Sequence, residues 1–161
     1  MKNIILIFFL TCFGFTSNAQ ITKAEIVATG LTCSMCSNAI NKQLKKLPEI
    51  EKVDVDLNSN TFTIYIKKGN TISPRILKES IQKAGFFVGS MIVTLDLDNP
   101  KIAGNPNFIF MDTKSQKGET RFKILDKGYL VMKDFKKLSK LYANSPTYNI
   151  ENEDNYHLKN L

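Results

Sequence analysis

The chain has 161 residues, 43% of them hydrophobic, with 22 basic and 15 acidic side chains and a net charge of +7. That length admits one ordinary domain or two small ones, and the apolar fraction suffices for a packed core. The basic residues are scattered except for a denser run at residues 133–140, which reads as a solvated helix face. No nucleic-acid motif is visible, so nucleic acid is not an expected partner.

Residues 1–19 read as a secretory signal peptide. Lys2 supplies the positive start, residues 4–15 are almost wholly apolar, and Ser17-Asn18-Ala19 suits cleavage before Gln20. The apolar run is shorter than the roughly 20 residues a membrane span takes, which argues against an uncleaved anchor. Cys12 raises a lipoprotein alternative, but Thr11 precedes it where a small residue is normal. The expected mature protein is exported, periplasmic or secreted, with no stable membrane insertion. Its only cysteines are then Cys33 and Cys36.

Residues 21–29 alternate as a strand, with Ala24, Ile26 and Ala28 on one face. Residues 30–35 read as a loop. From Cys36 the period changes: Cys36, Ala39, Ile40, Leu44 and Leu47 form one helical stripe, ended by Pro48. Residues 53–66 predict a hairpin, two alternating runs joined at Asn58-Ser59-Asn60. Ser73 and Pro74 cap a second helix, with Ile76, Leu77, Ile81 and Ala84 as its buried stripe and Gly85 at its end. Residues 86–97 predict a fourth strand. The order β-α-β-β-α-β over residues 20–98 is that of a ferredoxin-like sandwich, so the fold class is α+β.

The turn formers between Asn99 and Asn107 mark a boundary. Residues 99–161 predict a small, mostly β unit with one C-terminal helix. Strands are expected near residues 107–112 and 119–126, joined by a polar loop at 113–118. The helix has Val131, Phe135, Leu138 and Tyr142 on one stripe, and the final residues read as loop, edge strand or tail. About 60 residues is marginal for independent folding, so this unit is expected to dock on the first, through the strand at 86–97. Lys133, Lys136, Lys137 and Lys140 would offer a basic face to a partner.

The chemistry lies in Cys33 and Cys36, where a loop enters a helix. A helix start offers unpaired N–H groups and a positive dipole, both favouring thiolates. Two thiolates suit a soft ion such as Cu(I), Hg(II) or Cd(II), but do not complete the four-ligand shell of structural zinc. The same spacing also serves thiol–disulfide exchange.

Gly30-Leu31-Thr32-Cys33-Ser34-Met35-Cys36 resembles the G-M-T-C-x-x-C of the heavy-metal-associated domains of copper chaperones and copper-transporting ATPases. Ala84-Gly85-Phe86 resembles that family's Gly and aromatic after the second helix. The resemblance covers about residues 21–95 and implies Cys33 and Cys36 as the metal-binding pair. Leu31 replaces the usual Met and keeps its volume and apolar character. Thr32 in place of an Asp tilts the choice from Zn(II) to Cu(I). The resemblance implies a non-enzymatic carrier of Cu(I), with Hg(II), Cd(II) or Zn(II) as alternatives, that meets a metal-donor or acceptor protein. The competing readings are a thiol–disulfide oxidoreductase and a partner-binding module whose cysteine pair is oxidised. Met35 reads as an exposed loop residue or a partner contact, ahead of a weak third copper ligand, and His157 as a solvated residue. Phe86 reads either as a shield over the metal or as ordinary core. Met132 and His157 become ligand candidates only if the C-terminal unit completes the site.

Overall fold

The computed structural model describes residues 21–32, 34–112, 117–148 and 154–161. The signal segment, Cys12, Cys33, most of the loop at 113–118 and part of the final stretch therefore lie outside the described residues.

The first unit runs β1 (Ile21–Thr29), α1 (Ser34–Leu44), β2 (Ile50–Asp56), β3 (Thr61–Ile66), α2 (Pro74–Lys83) and β4 (Phe87–Asp96). The strands are antiparallel in the order β2-β3-β1-β4. Ala24, Ile26 and Ala28 of β1 bury together with Phe62 and Ile64 of β3 and Met91, Val93 and Leu95 of β4. Ile40 and Leu44 of α1 and Leu77 and Ile81 of α2 close the same core from one side. This is the ferredoxin-like arrangement expected from the alternation and helix stripes.

Local chemistry explains the boundaries. Helix α1 begins at Ser34 rather than Cys36, so Met35 and Cys36 sit in its first turn. It ends at Leu44, short of Pro48: Lys46 and Leu47 donate to carbonyls three residues back, the tightened bonding of a helix end. Helix α2 starts as read. The Ser73 hydroxyl accepts from the Ile76 N–H at 3.4 Å, and Pro74 occupies the first helical position.

The remaining elements are α3 (Pro100–Ala103), β5 (Phe108–Phe110), β6 (Glu119–Ile124), α4 (Met132–Leu141) and β7 (Tyr156–Asn160). Strand β6 pairs antiparallel with β4, so the second unit docks through the strand the sequence suggested. One seven-stranded sheet results, β2-β3-β1-β4-β6-β7-β5, with only β5 and β7 parallel. Phe108, Phe122, Ile124, Tyr156 and Leu158 continue the core of the first unit without a break. Lys78 of α2 lies almost buried against this junction, its ammonium 4.9 Å from the centre of the Tyr129 ring.

Three details differ from the sequence reading. Residues 100–103 form a one-turn helix, because Asn99 caps it (its side chain accepts from the Lys101 N–H) and Pro100 starts it. The same Asn-Pro pair reads equally well as a turn. Residues 156–160 form an interior strand between β6 and β5, stabilised by pairing that its polar neighbours in sequence do not announce. Of the stripe expected on helix α4, Val131 only caps the helix and is exposed, Tyr142 caps its other end, and Phe135, Leu138 and Tyr142 are half-buried; no residue of the helix is fully covered.

Phe122 and Ile124 face α1 and α2, so Lys123 and Leu125 project from the opposite side of the sheet. Helix α4 lies over that opposite side.

Glu25 of β1 ties the two units across β4, pairing with Lys23 at 2.9 Å and with Arg121 of β6. Partial burial acts to raise its pKa, but Lys23 and Arg121 together outweigh this and hold it below the ordinary carboxylate range. A depressed carboxylate stabilises the fold at neutral pH, and that contribution is lost as pH falls through its folded pKa. In urea denaturation, the stability of Glu25→Gln should therefore fall less steeply between about pH 5 and pH 3 than that of the parent. Identical slopes would show that the bridge contributes nothing.

Candidate metal centre

Strand β1 delivers the chain to Gly30, which has φ +88° and so turns the backbone where most side chains would be strained. Leu31 tucks half-buried against the core, and Thr32 is exposed. Leu31 thus packs as its volume and apolar character imply. Cys36 is the third residue of α1 and half-buried, beside the fully covered Ser37. The first turn of the helix directs unpaired N–H groups and positive dipole to this point, which stabilises negative charge. Met35 projects into solvent, 80% exposed as expected, but from the first turn of α1 rather than from the loop.

The second side of the centre is the end of α2. The Gly85 N–H donates to the Gln82 carbonyl at 2.8 Å, and the Phe86 N–H to the Ile81 carbonyl at 3.2 Å. With Gly85 at φ +91°, this is a Schellman close. It reverses the chain so that Phe86 packs on the core while its Cδ1 lies 3.8 Å from where a Cβ on Gly30 would stand. Phe86 is thus both core and a wall beside the cysteine loop. The next residue, Phe87, is 67% exposed at the same end of the sheet, where it pairs with Thr29. Sequence reasoning passed over Phe87. The adjacent phenylalanines opening a strand were the available signal, since one of the two must point outward.

Cys33 lies outside the described residues, so of the expected pair only Cys36 is placed. Among the described residues no group of three or more His, Cys, Asp or Glu side chains could hold a metal ion.

His157 is not solvated. It is 1% exposed, with Nδ1 2.6 Å from Asp126 Oδ1 and Nε2 2.9 Å from Thr147 Oγ1. Its backbone N–H donates to the other Asp126 oxygen at 2.7 Å, and Tyr148 packs edge-on against the ring. The Tyr148 hydroxyl donates to the Leu125 carbonyl at 2.6 Å; burial first, then the Asp126 charge, pushes its pKa up. Both imidazole nitrogens are engaged. The histidine also sits in β7, three strand positions from β1, or roughly 14 Å at ordinary strand spacing. It secures β7 and the turn after α4 rather than completing a metal shell. Met132 is exposed at the start of α4. The Val131 N–H donates to the Gly89 carbonyl at 3.1 Å, which puts that helix start near the cysteine-loop end of β4.

The heavy-metal-associated domain family matches residues 26–87, the span from β1 to the start of β4. The copper chaperone CopZ of Staphylococcus haemolyticus is 32% identical over 59 residues, covering 37% of this chain and 85% of that protein. The chain belongs to the heavy-metal-associated domain family. A probable copper-transporting ATPase of Arabidopsis thaliana is 31% identical over 73 residues, covering 45% of this chain. The chain spans only 7% of that ATPase's length. A yeast copper transporter domain, solved in apo and Cu(I)-loaded states, is 33% identical and covers 40% of this chain and 86% of that one, with a TM-score of 0.37. The matched span lies within the first unit and stops at the start of β4.

The structural role of His157 predicts that His157→Ala costs about 1–3 kcal/mol, since half-buried Asp126 loses its imidazole partner and Thr147 loses Nε2, while the backbone N–H bond to Asp126 remains. Denaturant unfolding measures this. A change within experimental scatter would show the cluster to be energetically idle.

Proposed function

We propose that the mature protein is exported and carries Cu(I) on Cys33 and Cys36, receiving it from one protein and passing it to another. The observation that carries this reading is the Gly30-to-Cys36 motif joining β1 to α1, with Cys36 in the first helical turn of a heavy-metal-associated domain. The cited relatives, a copper chaperone and copper ATPase, support copper as the cargo.

The mechanism follows from ligand count. Two thiolates leave Cu(I) low-coordinate, so a partner's thiolate can enter before either protein thiolate departs. A three-coordinate intermediate then resolves toward the tighter site. No bond to carbon forms or breaks, and the protein acts as a carrier rather than an enzyme. Hg(II) and Cd(II) would bind by the same softness, and Zn(II) less well for want of further ligands. The exposed Met35 and Phe87 offer an adaptable apolar rim to an approaching partner.

Anaerobic Cu(I) titration of the reduced mature protein should give one ion per chain. Cys33→Ser and Cys36→Ser should each weaken binding severely, because a hydroxyl is a poor soft-metal ligand. Tight binding by the double variant would refute the site. Native mass spectrometry separates one ion per chain from one ion shared by four cysteines of a dimer.

Export is tested by intact mass. Protein recovered from outside the cytoplasm should begin at Gln20. A mass that retains residues 1–19, or a lipid on Cys12, would overturn the proposed location.

A further inference from the structure

We propose that the groove between α4 and strands β6 and β7 binds a fatty-acid-type carboxylate. This goes beyond the copper reading and does not rest on it. The groove is open to solvent and has a volume of about 320 Å³, at the lower end of the roughly 300–1,000 Å³ of small-molecule sites. Its apolar lining includes Leu125 and Leu130, both buried in the protein, and the half-buried Leu138 of α4.

The polar lining decides the ligand's charge. Lys123 of β6 and Lys159 of β7 are directly opposite each other in register, so their side chains leave the same face of the sheet. Like charges in that relation are destabilising. Lys137 of α4 lines the groove as a third ammonium group. Among the described residues, Asp134 at the rim forms no ion pair with any of the three. The contrast on the same strand is Arg121, which Glu25 neutralises.

Helix α4 supplies the other half of the argument. It carries an apolar stripe, yet none of its residues is fully covered. The protein therefore holds an open groove with apolar walls beside a cross-strand lysine pair that has no ion-pair partner among the described residues. An aliphatic carboxylate satisfies both. Its chain would lie against Leu138 and Leu161, with the buried Leu125 and Leu130 behind them, and its head would lie between Lys123, Lys159 and Lys137. A neutral lipid would leave the lysine repulsion untouched, and a cationic amphiphile would add to it.

The test is titration of the full mature chain with decanoate below its micelle-forming concentration, by calorimetry and by amide chemical shifts. Decyltrimethylammonium and decanol serve as charge controls. The expected result is saturable decanoate binding with shifts centred on Leu125, Leu138 and Lys159, and much weaker binding of both controls. The double variant Lys123→Gln, Lys159→Gln should lose roughly tenfold or more in decanoate affinity, as charge-assisted hydrogen bonds are removed. It should remain folded, with a melting temperature equal to or above the parent's, because a like-charge pair has been relieved. No decanoate binding, equal binding of the cationic control, or undiminished binding by the folded double variant would each overturn the proposal. Binding confined to phosphatidylglycerol vesicles, with no response to monomeric decanoate, would overturn it in favour of a membrane-surface contact.

Discussion

Strand β4 is hydrogen-bonded along both edges, to β1 on one side and β6 on the other. Everything else in the protein depends on that double pairing. In a bare βαββαβ sandwich β4 would be an edge, with a row of unpaired backbone groups inviting association with other chains. Here the C-terminal unit covers it, and the core runs on beneath the added strands. Glu25 and Arg121 reach across β4 to fasten its two neighbours.

The same strand organises the cysteine loop. Its start, Phe87, pairs with Thr29, the last residue before the loop begins. The Schellman close of α2 feeds β4 and sets Phe86 against Gly30. The loop is thus anchored by a strand end, a helix start and an aromatic wall, all parts of one packed layer. Such anchoring suits transfer chemistry, in which ligands must be exposed to a partner yet held near one another. The proposed carboxylate groove lies on the opposite face of the sheet, so the two sites use different surfaces of the same scaffold.

The first unit was legible in sequence because its signals are local. Alternation marked β1 and the hairpin, Ser73-Pro74 marked the start of α2, and Gly85 marked its end. The cysteine spacing, together with that order, named the family. The second unit resisted because its determinants are long-range. His157 looked solvated among polar neighbours, but its half-buried partner Asp126 lies 31 residues upstream. Strand β7 looks like a tail until β6 and β5 flank it. The Lys123–Lys159 juxtaposition exists only in the folded register. Of the proposed metal site, sequence supplied the residue types, and the structure supplied the helical placement of Cys36 and the position of Phe86.

The central claim is that two thiolates, from Cys33 and Cys36, hold Cu(I). X-ray absorption at the copper edge, on reduced mature protein loaded with one Cu(I) per chain, tests it most directly. The account predicts a Cu(I) edge with a low-coordinate, all-sulfur shell that disappears in the double Cys→Ser variant. A shell containing nitrogen ligands, or one unchanged in that variant, would contradict it.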